Sequence, residues 1–152
     1  MAGLYYEELE VGAVLEHAVR RTVTEMDNVL FSALTHNPQP LHIDEEYSKG
    51  TMWGTRIVNS LFTLGLVVGI SVSEATLGTT VANLGFGEVR FPAPVRHGDT
   101  VHVETEVIGK RESRSRPGLG IVELEHRGFN QAGELVCSCR RNALILMRPA
   151  SD

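Results

Sequence analysis

Cysteine is nearly absent from this 152-residue chain, which holds only Cys137 and Cys139. Two apart on a strand, they share a face and lie too close for an unstrained disulfide. A bridge-stapled secreted scaffold is thereby excluded, and a reducing compartment is expected. Basic charge is also short: 14 Lys and Arg stand against 19 Asp and Glu, for a formal net charge of −5. That excludes a general nucleic-acid binder, while leaving room for a local basic pocket facing an anionic ligand. No apolar run reaches the length needed to span a bilayer. The start, MAGLYYEELEVG, is acidic and lacks the basic and apolar regions of a signal peptide. Repeats, linkers and low-complexity tracts are missing too. These absences predict a cytoplasmic protein without membrane contact. Apolar residues at 42% and charged residues at 22% predict one globular domain over residues 1–152.

What is present reads as helices followed by strands. Val14–Val23 is rich in β-branched residues and predicts a strand. Thr24 and Asp27 resemble a capping box opening a helix whose Met26, Val29, Leu30, Ala33 and Leu34 share one face. Pro38 and Pro40 stop that helix. Asp44 suits the N-cap of a short helix closed by Gly50. Asn59 to Ser73 runs without a charge and is apolar nearly all round, which predicts a helix buried on every side, capped by Asn59 or Ser60. From Thr79 the chain reads as strands. VANLGFGEVRF is glycine-rich and expected to be bulged. TVHVETEVIGK alternates cleanly, and IVELEHRGFN and ELVCSCRRNALILM form a hairpin through QAG. A buried central helix at about 59–74, wrapped by a curved antiparallel sheet, satisfies this order. It is the α+β hotdog architecture.

The segment THNPQPLHID, Thr35 to Asp44, holds two histidines, two prolines, two side-chain amides and an aspartate. Its residue types admit a metal site, an acid/base site or an ordinary turn. No metal is expected, because the spacing of His36, His42 and Asp44 matches no standard ligand set. Asn37 before proline suits an Asx-turn as well as a water-holding role. Asp44 suits a helix cap, and His36 an exposed loop. His17, His97, His102 and His126 are scattered, and no role is expected for them.

Two segments together carry a resemblance. LTHNPQPLHID, a short helix and WGTRIVNSLF resemble the signature of the MaoC-like hydratases, also called R-specific enoyl-CoA hydratases. That signature runs L-S-G-D-x-N-P-L-H-x-D, a short helix, then F-G-x-x-I-A-H-G-M-L at the mouth of the central helix. VRFPAPVRHGDTV resembles the family's strand–turn–strand segment. The resemblance implies a hotdog homodimer that adds or removes water across the C2=C3 bond of an enoyl-CoA thioester. It implies no cofactor beyond the coenzyme A of the substrate. The catalytic His falls on His42. The catalytic Asp falls on Asn37, which is a departure. The glycine whose backbone N–H forms the oxyanion hole falls on Ser60, and the histidine before it on Asn59. The variants NPQPLH and VNSLF are similar to a subgroup acting on branched or dicarboxylic acyl-CoA esters, of the mesaconyl-CoA hydratase (β-methylmalyl-CoA dehydratase) kind.

The chemistry suits these residue types. Hydration of an enoyl thioester needs a base for water, an acid for the α-carbon and a donor for the enolate oxygen. Imidazole serves the first two near neutral pH. A helix N-terminal N–H serves the third and needs no particular side chain. His42 acts alone, or with Asp44 or His36; the residues do not choose. Arg56 is placed to meet a substrate carboxylate, and Arg114 and Arg116 to pair with CoA phosphates. Two rivals stand beside this reading. A hotdog thioesterase usually carries a carboxylate on or near the central helix, and Asn59–Ser73 has none. A non-catalytic acyl-CoA-binding module is favoured by the amide at Asn37.

Overall fold

Val101, Val103, Thr105 and Val107 are all buried, while His102, Glu104 and Glu106 between them are half-covered. The alternation foreseen in this strand therefore sets one face of a sheet against the core. The structure, a computed structural model, describes residues 3–149. A 3-10 turn at Tyr6–Glu8 is followed by β1 (Val14–Glu16), β2 (Arg21–Thr22), α1 (Glu25–Leu34), α2 (Pro40–Ile43), α3 (Glu45–Lys49) and α4 (Ser60–Ser71). A π turn at Val72–Thr76 leads to β3 (Thr80–Arg90), β4 (Thr100–Glu112), β5 (Leu119–Phe129) and β6 (Leu135–Leu146). The sheet is antiparallel, in the order β1-β4-β5-β6-β3, with β2 also on β4. Helix α4 lies across β4, β5 and β6. This is the hotdog fold.

Val67 of α4 is fully buried among Val101, Val103, Val136 and Cys137. The helix comes this close because residue 128 is glycine: a Cβ there would sit 2.4 Å from Val67 Cγ2. Sealing such a side chain contributes about 1.5–3 kcal/mol. The ring pair Phe31–Phe62, with centroids 5.7 Å apart at 73°, locks α1 onto α4. Strand β3 is bulged as expected, with register shifts against β6 on both sides of Gly85, where φ is +144°. Both cysteines are buried and free.

Four expectations change. The strand foreseen over Val14–Val23 breaks at His17, whose ring turns into the core. Helix α1 has the foreseen apolar face, but that face points outward: Met26 is 66% exposed, Leu30 53% and Leu34 71%, while Asn28 and Ser32 are buried. Helix α4 is not sealed all round, because Leu61, Gly65 and Gly69 form an exposed stripe. His17 and His126 are not incidental. They belong to a buried chain that runs from Arg141 to Glu74.

The polarity of that chain follows from its ends. Arg141 can only donate, so its Nε–H meets the unprotonated Nε2 of His126 at 2.9 Å. His126 Nδ1–H then donates to Thr105 Oγ1 (2.8 Å), whose oxygen also lies 2.8 Å from His17 Nε2. His17 Nδ1–H donates to the Glu74 carboxylate at 2.8 Å. Burial, with the charge of Arg141, pushes His126 down to about 3.

Candidate active site

The loop of Thr35–Asp44 is built from the end of α1. The helix opens with the foreseen box: Thr24 Oγ1 accepts the Asp27 N–H (3.3 Å), and the Asp27 carboxylate accepts the Thr24 N–H (2.7 Å). It closes with the Asn37 N–H on Ser32 O (2.9 Å) and the His36 N–H on Ala33 O (3.2 Å). His36 sits at φ +53°. This is a Schellman closure with histidine in the left-handed position, one of the few residue types that tolerate it. His36 therefore has a backbone task. Asn37 Oδ1 then accepts the Gln39 N–H at 3.1 Å, the expected Asx-turn. Pro40, whose missing N–H costs nothing at a first helical position, starts the short α2 that carries His42.

The His42 ring is oriented by one contact. Nδ1 lies 2.9 Å from the carbonyl oxygen of Ile57. A carbonyl only accepts, so Nδ1 carries a proton, and in the neutral ring Nε2 keeps its lone pair. Asn59 caps α4 by accepting the Leu61 N–H at 3.0 Å. At Ser60, the first residue of α4, the N–H has no partner among the described residues, as the end of a helix requires. Ser60 is exposed and opens on an apolar hollow lined by Trp53, Ile57, Thr63, Phe91 and Pro92. Asn37 and His36 open on a second apolar hollow with Val29, Ala33, Pro38 and Ile43.

Asn28 joins these parts. It is fully buried, and its Nδ2 lies 3.0 Å from each of His42 O, Ile57 O and His97 Nε2. Its Oδ1 accepts the Asn59 N–H at 2.9 Å. His97 must be the acceptor in its pair, hence neutral, and burial with the nearby Arg56 charge lowers its pKa. Neither residue was singled out from sequence. The available signal was a polar pair four apart, Asn28 and Ser32, on a helix whose apolar side the chain leaves outside.

Several expected roles change. Asn59 is buried, with both its side-chain oxygen and its N–H spent on the cap and on Asn28, so a substrate contact gives way to a structural one. Arg56 is only 14% exposed and bonds Glu25 (2.7 Å) and Glu45 (2.8 Å), so its charge is already matched. Asp44 is the N-cap of α3, accepting the Tyr47 N–H at 3.0 Å, so its carboxylate has a backbone task. Arg114 and Arg116 follow the far end of β4. At roughly 3.3 Å per residue that is about 40 Å along the strand from the end near His97. Within one chain, Ser60 and Asn37 open on two different hollows, His42 is tied through Ile57 O and Asn28 to the start of α4, and these two arginines lie apart.

The chain matches the family model described as MaoC like domain over residues 7–128. It is 35% identical to a mesaconyl-CoA hydratase of Cereibacter sphaeroides over 97% of its own length and 42% of that protein. A 3-hydroxybutyryl-CoA dehydratase of Methylorubrum extorquens is 36% identical, with 76% of this chain and 71% of that one covered. The crystal structure of a MaoC-like dehydratase from Rhodospirillum rubrum superposes with a TM-score of 0.83 at 31% identity, covering 97% and 99% of the two chains. The chain thus spans about two fifths of the mesaconyl-CoA hydratase that it matches.

Proposed function

This chain belongs to the MaoC-like domain family, and from that premise we propose that it is a hydro-lyase adding or removing water at the C2=C3 bond of an enoyl-CoA thioester. The observation that carries the reading is the pairing of an imidazole whose Nε2 is left unprotonated with an unpartnered N–H at the mouth of α4. In the hydration direction, His42 Nε2 takes a proton from water as the water oxygen bonds C3. The C2=C3 electron pair moves onto the thioester oxygen, where the Ser60 N–H and the α4 terminus meet the charge. The imidazolium then returns the proton to C2. Asn37, an amide, can hold the water but cannot exchange a proton, so one imidazole does both transfers. Coenzyme A enters only as part of the substrate.

The likeness to mesaconyl-CoA hydratase supports a branched, dicarboxylic acyl group. A homodimer belongs to the same reading, and Arg114 and Arg116 would reach a thioester only from a second copy. A cytoplasmic setting is supported by two buried, free thiols. No described helix is long and apolar enough to cross a membrane.

The test is absorbance of the conjugated thioester, with crotonyl-, longer enoyl- and mesaconyl-CoA. A hydratase bleaches it with the thioester intact, a thioesterase releases thiol, and a binding module does neither. His42→Ala is expected to lower kcat by about 10²–10⁴-fold with unchanged circular dichroism. A folded variant with near-normal turnover would remove His42 from the mechanism. The binding-module reading is favoured by the amide at Asn37, and gains first place if the wild-type protein bleaches none of the panel.

A further inference from the structure

Asn28 lies in none of the segments that resemble the family signature, yet it bonds the backbone of both, at His42 in the first and at Ile57 and Asn59 in the second. Its orientation is not ambiguous. The Asn59 N–H can only donate, so the atom facing it is Oδ1. The carbonyls of His42 and Ile57 can only accept, so the atom facing them is Nδ2. The Ile57 oxygen has two lone pairs and receives two protons, one from Asn28 Nδ2 and one from His42 Nδ1. The carbonyl that selects the His42 tautomer is thus itself held by Asn28. The same amide holds the N-cap residue whose successor presents the free N–H of α4.

We propose that Asn28 is a positioning residue: it fixes the separation of the base His42 from the oxyanion donor Ser60 and keeps His42 in its Nδ1–H form. The role rests on the hydratase reading above. Asn28 is out of solvent and touches no substrate; it acts through Ile57 O, His42 O and Asn59 N–H. The residue type is required by the count. Two donor hydrogens, shared among His42 O, Ile57 O and His97 Nε2, and one acceptor must stand on a one-carbon stem. Aspartate keeps the acceptor and loses the donors, alanine loses all, and glutamine sets the amide one methylene too far. Buried carbonyls left without their donor would shift to find water, and a shift near 1 Å in a catalytic group can cost about 10²-fold in rate.

The experiment combines kinetics with nitrogen-15 NMR of the imidazoles. In the wild-type protein His42 should show a protonated Nδ1 and a bare Nε2, and the Asn59 amide should exchange slowly. In Asn28→Ala and Asn28→Asp, kcat should fall about 100-fold, with KM within about threefold, on the best substrate of the wild type. The His42 signals should at the same time move toward a mixture of tautomers. A merely structural residue would lower the folded fraction and leave the tautomer of the folded fraction alone. Folded variants with wild-type kcat, or with an unchanged His42 tautomer, overturn the proposal. If neither variant folds, the wild-type spectra decide: an Nε2-protonated His42 or a fast-exchanging Asn59 amide overturns it, and the expected pair upholds it. A wild-type protein that hydrates no thioester overturns the hydratase reading instead, which the NMR arm tells apart.

Discussion

His42 has a single ring proton to place when neutral, and the Ile57 carbonyl takes it. The nearest departure from the family signature, Asn37, opens a turn that its own side chain closes on the Gln39 N–H. A carboxylate oxygen accepts the Gln39 N–H as well as an amide oxygen does, so Asn37→Asp should fold normally. It adds a negative charge to a loop that runs into Glu45, whose described cation, Arg56, is already shared with Glu25. A substrate carboxylate would be repelled, and a neutral acyl group would not. Asn37→Asp is therefore expected to lower kcat/KM for mesaconyl-CoA against crotonyl-CoA by about tenfold, or ~1.4 kcal/mol. Steady-state kinetics on both thioesters in both proteins measure it. An equal rise on both substrates would mean that Asn37 is a weakened form of the family base, and that charge matching plays no part.

At the scale of elements, several apolar surfaces are left uncovered among the described residues. Among the described residues strand β3 pairs only with β6, yet it carries exposed Val81, Leu84 and Phe86 along eleven residues. Helix α1 turns Met26, Leu30 and Leu34 outward, and α4 shows Leu61 and two glycines. Edge strands that face water are usually short, charged or covered. A second copy, joined edge to edge at β3, would pair the strand and extend the sheet. The expected outcome is a dimer by light scattering at micromolar concentration. Leu84→Lys with Phe86→Lys should shift it to a monomer of unchanged helix content and reduced turnover. A wild-type monomer with full activity would reject the dimer.

At the scale of the whole molecule, the chain from Glu74 through His17, Thr105 and His126 to Arg141 ties the π turn after α4 to β4, β5 and β6. It also makes stability depend on pH. His126 titrates near 6.5 when unfolded and at about 3 in the fold, mainly through burial. The unfolded chain therefore binds the extra proton first. The stability is complete above about pH 6.5 and is lost as pH falls from there toward 3, by up to about 1.4 kcal/mol per pH unit. His97, also held neutral by burial, adds in the same direction. Paired carboxylates such as Asp27, held low by Arg21, contribute only at more acid pH. Urea midpoints between pH 7 and 5 should fall in the wild-type protein and fall less steeply in His126→Gln. Parallel slopes in the two proteins would take His126 out of the acid response.

Local rules were enough for much of this protein. The Thr24–Asp27 box, the Asp44 and Asn59 caps, the bulged β3, the alternation of β4 and the final hairpin depend on residues a few positions apart, and each was legible in the sequence. A recognisable spacing in their segments also singled out His42 and Ser60 as the candidates on which the proposed function rests. Contacts between distant segments were not legible. Periodicity showed that α1 has an apolar face, but not that the fold would spend the polar face on its core, since that depends on what Asn28 meets thirty residues away. Charge alone made Arg56 look available. Only the approach of Glu25 and Glu45 neutralises it. His17, His97 and His126 looked incidental because a buried histidine is defined by its neighbours, and those neighbours come together only when the sheet closes on α4.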